Sequence, residues 1–267
     1  MAQIHHTAVV DPRAEIGSGT SIGPYTVVGP KVVIGENNRI GSHVVIEGNT
    51  TIGSGNNIFQ FASIGAVPQD LKFSGEDSTL IIGDNNIIRE YVTLQPGTAH
   101  GGMKTVIGNN NMFMACSHVG HDGRVGSYNV FANSAALAGH VVVEDHVTIG
   151  GMCGVHQFVK LGRLAILGAG AMVNKDVPPF CTVQGDRARL VGINKIGLER
   201  HGFSSEEINS LRRLYRAVFE EQGLFRERLE RLLAEQTDFE AGQYFIRFMM
   251  ESERGITFPR KKNQLSV

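Results

Sequence analysis

His118, His121, His140 and His156, four of the ten histidines, lie in one stretch of the chain that also holds His146. Imidazole titrates near working pH, so a histidine held against a substrate can take a proton from a hydroxyl as a general base. Three imidazoles can instead hold zinc and leave its fourth position to a hydroxide nucleophile. The neighbours Asp122, Asn133 and Gln157 suit polar-substrate binding equally well. A lone histidine is more often a packed or surface residue. Four of them make a site only if the fold brings them together.

A hexapeptide period does that. Aliphatic residues recur at Val10, Ile16, Ile22, Val28, Ile34, Ile40, Ile46, Ile52, Ile58 and Ile64, and glycine follows most of them directly. The pattern resumes in phase at Ile82, Ile88 and Leu94. It then runs from Ile107 through Phe113, Val119 and onward to Leu167 and Val173, shifted by one residue. Neither a helix nor a simple strand has this period. Each hexapeptide makes one short strand and one turn, and three of them close a triangular coil. About eight or nine coils, spaced as paired strands are, give a prism about 40 Å long. With three hexapeptides per coil, His121 stacks under position 139, next to His140, and His156 stacks over 138 and 120. The four histidines then share one strip across three coils.

Two breaks interrupt the period. The first, about residues 66–78, skips two repeats without losing phase, so it must leave the prism as a loop and return. The second, about 96–104 (PGTAHGGMK), changes the phase by one residue. Long excursions from a rigid scaffold tend to carry function. Asp176-Val-Pro-Pro-Phe180 marks the end of the prism, since paired prolines cannot donate to a ladder. The prism therefore takes residues 1–190 and a helical domain 191–267. In the latter, Ser204 and Glu207 form a capping box. Ile208, Leu211, Leu214, Tyr215, Val218 and Phe219 make an apolar helical stripe. Further helices are expected over about 224–234 and 239–253, covering the open end of the prism.

Bulk properties narrow the function. Hydrophobic residues make up 42% and the formal net charge is −1, which argues against wholesale nucleic-acid binding. The basic cluster Arg260, Lys261 and Lys262 reads as a solvated tail. No apolar run approaches a membrane span, no signal segment opens the chain, and Cys116, Cys153 and Cys181 lack metal or disulfide spacing. A cytoplasmic protein with reduced thiols is the expectation.

Hexapeptides of the form aliphatic-Gly-x-x-small-x resemble those of the left-handed β-helix transferases, and the hand of the helix is taken from that resemblance. The β-helix carbonic anhydrases share such a fold and hold zinc with histidines, so a zinc-dependent hydrase is the alternative of a different class. A helical tail and a long loop are more than a small hydrase needs. The segments GAVPQDLKF (65–73), HVGHD (118–122), AALAGH (135–140), GGMCGVHQF (150–158), DVPPF (176–180) and GINKIGLERHGF (192–203) together resemble the UDP-N-acetylglucosamine 3-O-acyltransferases that begin lipid A synthesis. The match runs in order over nearly the whole chain. The hexapeptides are shared by many acetyltransferases, whereas the QDLK loop, the HxxHD strip and the NxxGLxRxGF segment in combination are specific. The sister N-acyltransferases carry an extra N-terminal domain, and here hexapeptides begin by Val10.

The resemblance implies roles. His121 is the general base, Asp122 sets its imidazole, and the Gly139 N–H stabilises the thioester oxyanion. His118, His140, His156, Gln157, Asp70 and Lys72 hold the sugar nucleotide and the acyl-phosphopantetheine. Asn194 and Arg200 reach the ligand from a neighbouring subunit of a homotrimer. The donor is a (3R)-hydroxyacyl group on acyl carrier protein, with no metal or bound cofactor. A 3-amino UDP-sugar is an alternative acceptor. Lys160, Arg163, Arg187, Arg189, Arg212 and Arg213 are the cations available to an acidic carrier protein. Ile196 stands where an acidic residue is common and His201 where a basic one is. Ala169, in LGAGA (167–171), falls at the acyl-length ruler, where glycine accompanies longer chains, so a medium chain is expected.

Overall fold

The computed structural model describes residues 1–235 and 239–260, so Lys261 and Lys262 lie outside the described residues. The chain is a left-handed parallel β-helix with a helical C-terminal part. Three sheets form the faces of the prism, with eleven, nine and eight strands. Almost all strands are two residues long, and the second residue of each points inward. Ile22, Ile40, Ile58, Ile88, Phe113, Phe131, Ile149 and Leu167 form one such buried column, and Phe113 and Phe131 stack at 4.6 Å.

Strand register shows the coil length directly. Ile34 pairs with Ile52, three hexapeptides on. Across the first break Ile52 pairs with Ile82, five hexapeptides on. Across the second Ile82 pairs with Ile107, four hexapeptides and a single residue on. The first insertion is therefore two whole repeats long, and the second exceeds one repeat by a residue, which accounts for the phase shift.

The glycine after each aliphatic residue answers to the next coil. A Cβ on Gly17 would lie 2.4 Å from the carbonyl of Gly35. The left-handed corner comes two residues later, and it is often not glycine: Asn37, Tyr25, His43, Phe61 and Tyr91 all have φ of 57–65°. Each such residue costs about 1–2 kcal/mol in backbone sterics, offset by packing along the corner. Tyr25, His43, Phe61 and Tyr91 stack on one another with centroids 5.1–5.3 Å apart. At another corner Asn38, Asn56, Asn86, Asn111 and Asn129 are buried as a ladder. Each side-chain oxygen accepts the N–H of the next coil at 2.7–2.9 Å, so buried backbone donors are satisfied where no strand pairs them.

After the prism, Cys181–Gln184 pairs in parallel with Ile166–Leu167, and Arg189–Ile193 pairs antiparallel with it. An antiparallel ribbon therefore closes this face, where the sequence pattern predicts helices alone. Four helices follow: α1 (Lys195–Arg200), α2 (Ser205–Glu220), α3 (Phe225–Glu235) and α4 (Glu240–Met250). The capping box at Ser204 and Glu207 is present. Ile208, Leu211, Leu214 and Val218 are buried, whereas Tyr215 and Phe219 are partly so. Tyr244 donates to Glu144 on the prism, and Arg163 lies over the rings of Phe180 and Tyr244. No described helix is long and apolar enough to cross a membrane. Cys116, Cys153 and Cys181 are all free thiols.

Candidate active site

Val119 points into the prism, which turns His118 outward on the same strand and puts His121 and Asp122 on the corner that follows. Asp122 takes the left-handed conformation (φ 58°), and its carboxylate is fully buried. It accepts the His121 Nδ1–H at 2.8 Å. That bond fixes the tautomer, so His121 Nε2 carries the free lone pair. One coil on, Gly139 lies against the ring: a Cβ there would be 2.5 Å from His121 Cε1 and Nε2. No acceptor among the described residues takes the Gly139 N–H. A proton acceptor and an unused N–H donor thus belong to neighbouring residues at one corner.

His140 occupies the corner position above Asp122. Its ring meets that of His121 edge-on at 5.0 Å and stacks on Phe158 at 4.4 Å. Its Nε2 lies 3.9 Å from Asp122 Oδ2. Burial lowers the His140 pKa; Asp122 and Asp70 oppose the shift and His121 adds to it. His118 is also pushed down, by burial and then by the charge of His121. Its Nδ1 lies 2.7 Å from the Thr93 hydroxyl.

The fourth histidine is set apart. His156 lines, with His118, a mainly apolar groove of about 450 Å³ across Ala136, Leu137, Gly154, Val155 and Met172, with Asp186 and Arg187 also in its lining. Arg254, from beyond α4, donates to His156 Nδ1 at 2.7 Å. The strip therefore divides into a tight cluster of His121, Asp122 and His140, and a groove bounded by His118 and His156. Gln157 is exposed beside it. Among the described residues His121, Asp122 and His140 form the one group of three or more side chains able to share a metal. The three-histidine set of a zinc hydrase is not assembled, and Asp122 is already hydrogen-bonded to His121.

The first insertion brings Asp70 close enough for its charge to act on His140, and Asp70 accepts the Lys72 N–H at 3.0 Å. The Gln69 N–H donates to the buried Gln95 side chain at 3.1 Å, which ties this loop to the prism. Asn194 and Arg200 line a different hollow of about 520 Å³, with His146, Ile196 and His201. The Asn194 amide is buried and engaged: it accepts the Gly197 N–H as the cap of α1 and donates to the Leu164 carbonyl, both at 2.9 Å. His201 donates from Nδ1 to the Gly197 carbonyl at 2.8 Å and meets His146 at 3.1 Å. Ala169 is exposed on the corner before the strand Met172–Val173 and does not line the groove of its own chain. Sequence reasoning missed Thr93, Gln95, Thr98 and Arg254. Each is joined to the site by a hydrogen bond from a distant segment, which no spacing rule reveals.

A family model described as Udp N-acetylglucosamine O-acyltransferase, domain 2, matches residues 176–257. The acyl-[acyl-carrier-protein]–UDP-N-acetylglucosamine O-acyltransferase of Myxococcus xanthus is 51% identical over 257 residues, 96% of this chain and 100% of that one. Its counterpart in Alkalilimnicola ehrlichii is 54% identical over 259 residues, 96% of this chain and 99% of that one. The solved structure of the Francisella novicida UDP-N-acetylglucosamine acyltransferase matches at 39% identity with a TM-score of 0.94, covering 98% of this chain and 95% of that one. The matches cover nearly the whole chain, and on them the chain belongs to the UDP-N-acetylglucosamine O-acyltransferase family.

Proposed function

We propose that the chain transfers a (3R)-hydroxyacyl group from acyl carrier protein to the 3-hydroxyl of UDP-N-acetylglucosamine, the step that begins lipid A synthesis. The observation that carries this reading is the corner where the buried Asp122 holds His121 Nδ1 at 2.8 Å and Gly139 lies against the Nε2 edge of the ring. His121 Nε2 takes the proton of the sugar 3-hydroxyl as the oxygen attacks the thioester carbonyl. The Gly139 N–H donates to the carbonyl oxygen as its charge grows. Asp122 stabilises the imidazolium, in the manner of a base held by a buried carboxylate. The tetrahedral intermediate then expels the phosphopantetheine thiolate, to which His121 returns the proton. No metal or resident cofactor is needed.

The groove between His118 and His156 suits the acyl-phosphopantetheine arm, being mainly apolar with Arg187 in its lining. His140, Gln157, Asp70 and Lys72 serve the sugar nucleotide. Asn194 and Arg200 line a separate hollow, so their part in binding requires a site shared between neighbours in a homotrimer. An acyl carrier protein donor puts the reaction in the cytoplasm, and the free thiols agree with that. The test is to mix the protein with UDP-N-acetylglucosamine and 3-hydroxyacyl-carrier protein and detect the acylated sugar nucleotide by mass. His121→Ala is expected to abolish turnover while the oligomer stays intact, because the ring is not part of the prism core. Substantial residual turnover in that variant removes His121 from its role.

A further inference from the structure

The Asp122 carboxylate has a partner that the acyltransfer scheme does not use. Thr98, on the second insertion, is fully buried. Its N–H donates to Asp122 Oδ1 at 3.0 Å and its hydroxyl to Oδ2 at 2.6 Å. Oδ2 is the oxygen that also takes His121 Nδ1–H. An ionised carboxylate only accepts, so the Thr98 hydroxyl must donate and its rotor is fixed. With both oxygens gripped, the carboxylate cannot rotate without breaking all three bonds. The insertion is shaped around this contact. A Cβ on Gly101 would fall 1.9–2.3 Å from the Asp122 carboxylate atoms. The N–H groups of Gly101 and Met103 both donate to the Thr98 carbonyl at 3.0–3.1 Å. From the first insertion, Glu76 accepts the Ala99 N–H at 2.9 Å and anchors the turn from outside.

We infer that Thr98 is a positioning residue for the general base, and that the second insertion holds the His121–Asp122 pair in line as a His–Asp–Thr chain. This rests on the acyltransfer reading. It gives the break in the repeat a purpose: a regular corner offers Asp122 only the neighbours stacked above and below it, and the extra hexapeptide with its added residue brings a hydroxyl and an N–H from another direction. The hydroxyl also draws charge from Oδ2. Removing it concentrates negative charge beside the imidazole and favours the imidazolium.

The decisive variant is Thr98→Val, which keeps the branched shape and the N–H but deletes the hydroxyl, with Thr98→Ser as the rescue. T98V is expected to lower kcat about 10- to 100-fold and to leave KM for the sugar nucleotide within about twofold. The acid limb of its pH–rate profile should move up. T98S should recover most of the rate and the original profile. In proton NMR the downfield Nδ1–H signal, assigned to His121 by its loss in H121A, should shift or broaden in T98V and return in T98S. If T98V does not fold, Thr98→Ala takes its place in the same measurements. Wild-type kcat and pH profile in either variant overturn the proposal. So does a loss carried by KM alone, or one that T98S fails to rescue. Failure of the wild type to acylate the sugar would instead remove the acyltransfer reading, while the NMR signal would still report whether Thr98 holds the dyad.

Discussion

Gly139→Ala separates the position of the base from the oxyanion donor. The substitution adds one methyl and keeps the N–H. The methyl would stand 2.5 Å from His121 Cε1 and Nε2 and 3.0 Å from Nδ1, where carbon contacts ordinarily rest at about 3.5–4.0 Å. Gly139 does not have a left-handed φ, so alanine is not strained by the backbone and the clash falls on the imidazole. Relief requires the ring to move by about 1 Å. That stretches the 2.8 Å bond to Asp122 past the length at which a hydrogen bond survives. A misplacement of this size costs about 100-fold in rate, and loss of the carboxylate's hold on the tautomer up to about 10⁴-fold. G139A should therefore lose between these factors in kcat with a small change in KM. The His121 side chain is 14% exposed and can swing outward, so the stability loss should stay within about 1 kcal/mol. Single-turnover acyl transfer read by mass, with a melting curve for the same preparation, makes the test. Turnover within about threefold of wild type would refute the reasoning, because a displaced ring cannot serve as the base.

Two further outcomes can be measured. Ala169→Gly removes a methyl at the position that the family resemblance assigns to the acyl-length ruler, and on that assignment it should shift preference in a mixed-donor competition toward longer acyl chains, by about 10-fold per methylene; an unchanged ranking, or a wild type that prefers the longest donor, rejects the assignment. His118, His140 and His146 all have pKa values lowered from 6.5, chiefly by burial. On acidification the unfolded histidines take up protons near 6.5 before the folded ones do, so the unfolded state binds more protons and stability falls as pH drops below that value. The melting temperature should be lower at pH 5.5 than at 7.5, and His118→Gln should reduce the difference; no change between wild type and variant counts against His118 as a contributor.

The fold was legible because its signal repeats. Every coil restates the requirement for an inward aliphatic residue and for a small residue where the next carbonyl approaches, so errors at one coil are corrected by its neighbours. The same rule placed His121 under Gly139, next to His140, since a vertical neighbour is one coil, or three hexapeptides, away. The horizontal contacts were not legible. The bond from Arg254 to His156 spans 98 residues, and the closing ribbon at Arg189–Ile193 has no period to announce it. Asn194 shows the limit of motif reading: its place in the NxxGLxRxGF segment suggested a ligand contact, yet within its own chain the amide caps α1 and holds Leu164.

A perfectly regular prism makes a poor enzyme for a physical reason. Its corners are alike, so each outward side chain meets the same neighbours above and below and is exposed to water on its remaining side. A base needs a partner from another direction, one that holds it without blocking its reactive nitrogen. The second insertion supplies that direction to Asp122 through Thr98, and the first supplies it to the cluster through Asp70, with Gln95 and Glu76 tying the two loops to the frame and to each other. The chain thus keeps the repeat where it needs rigidity and departs from it within two coils of the base. If this corner is the catalytic one, its catalysis depends on the interruptions as much as on the period, because the period alone leaves His121 and Asp122 adjacent but free to turn.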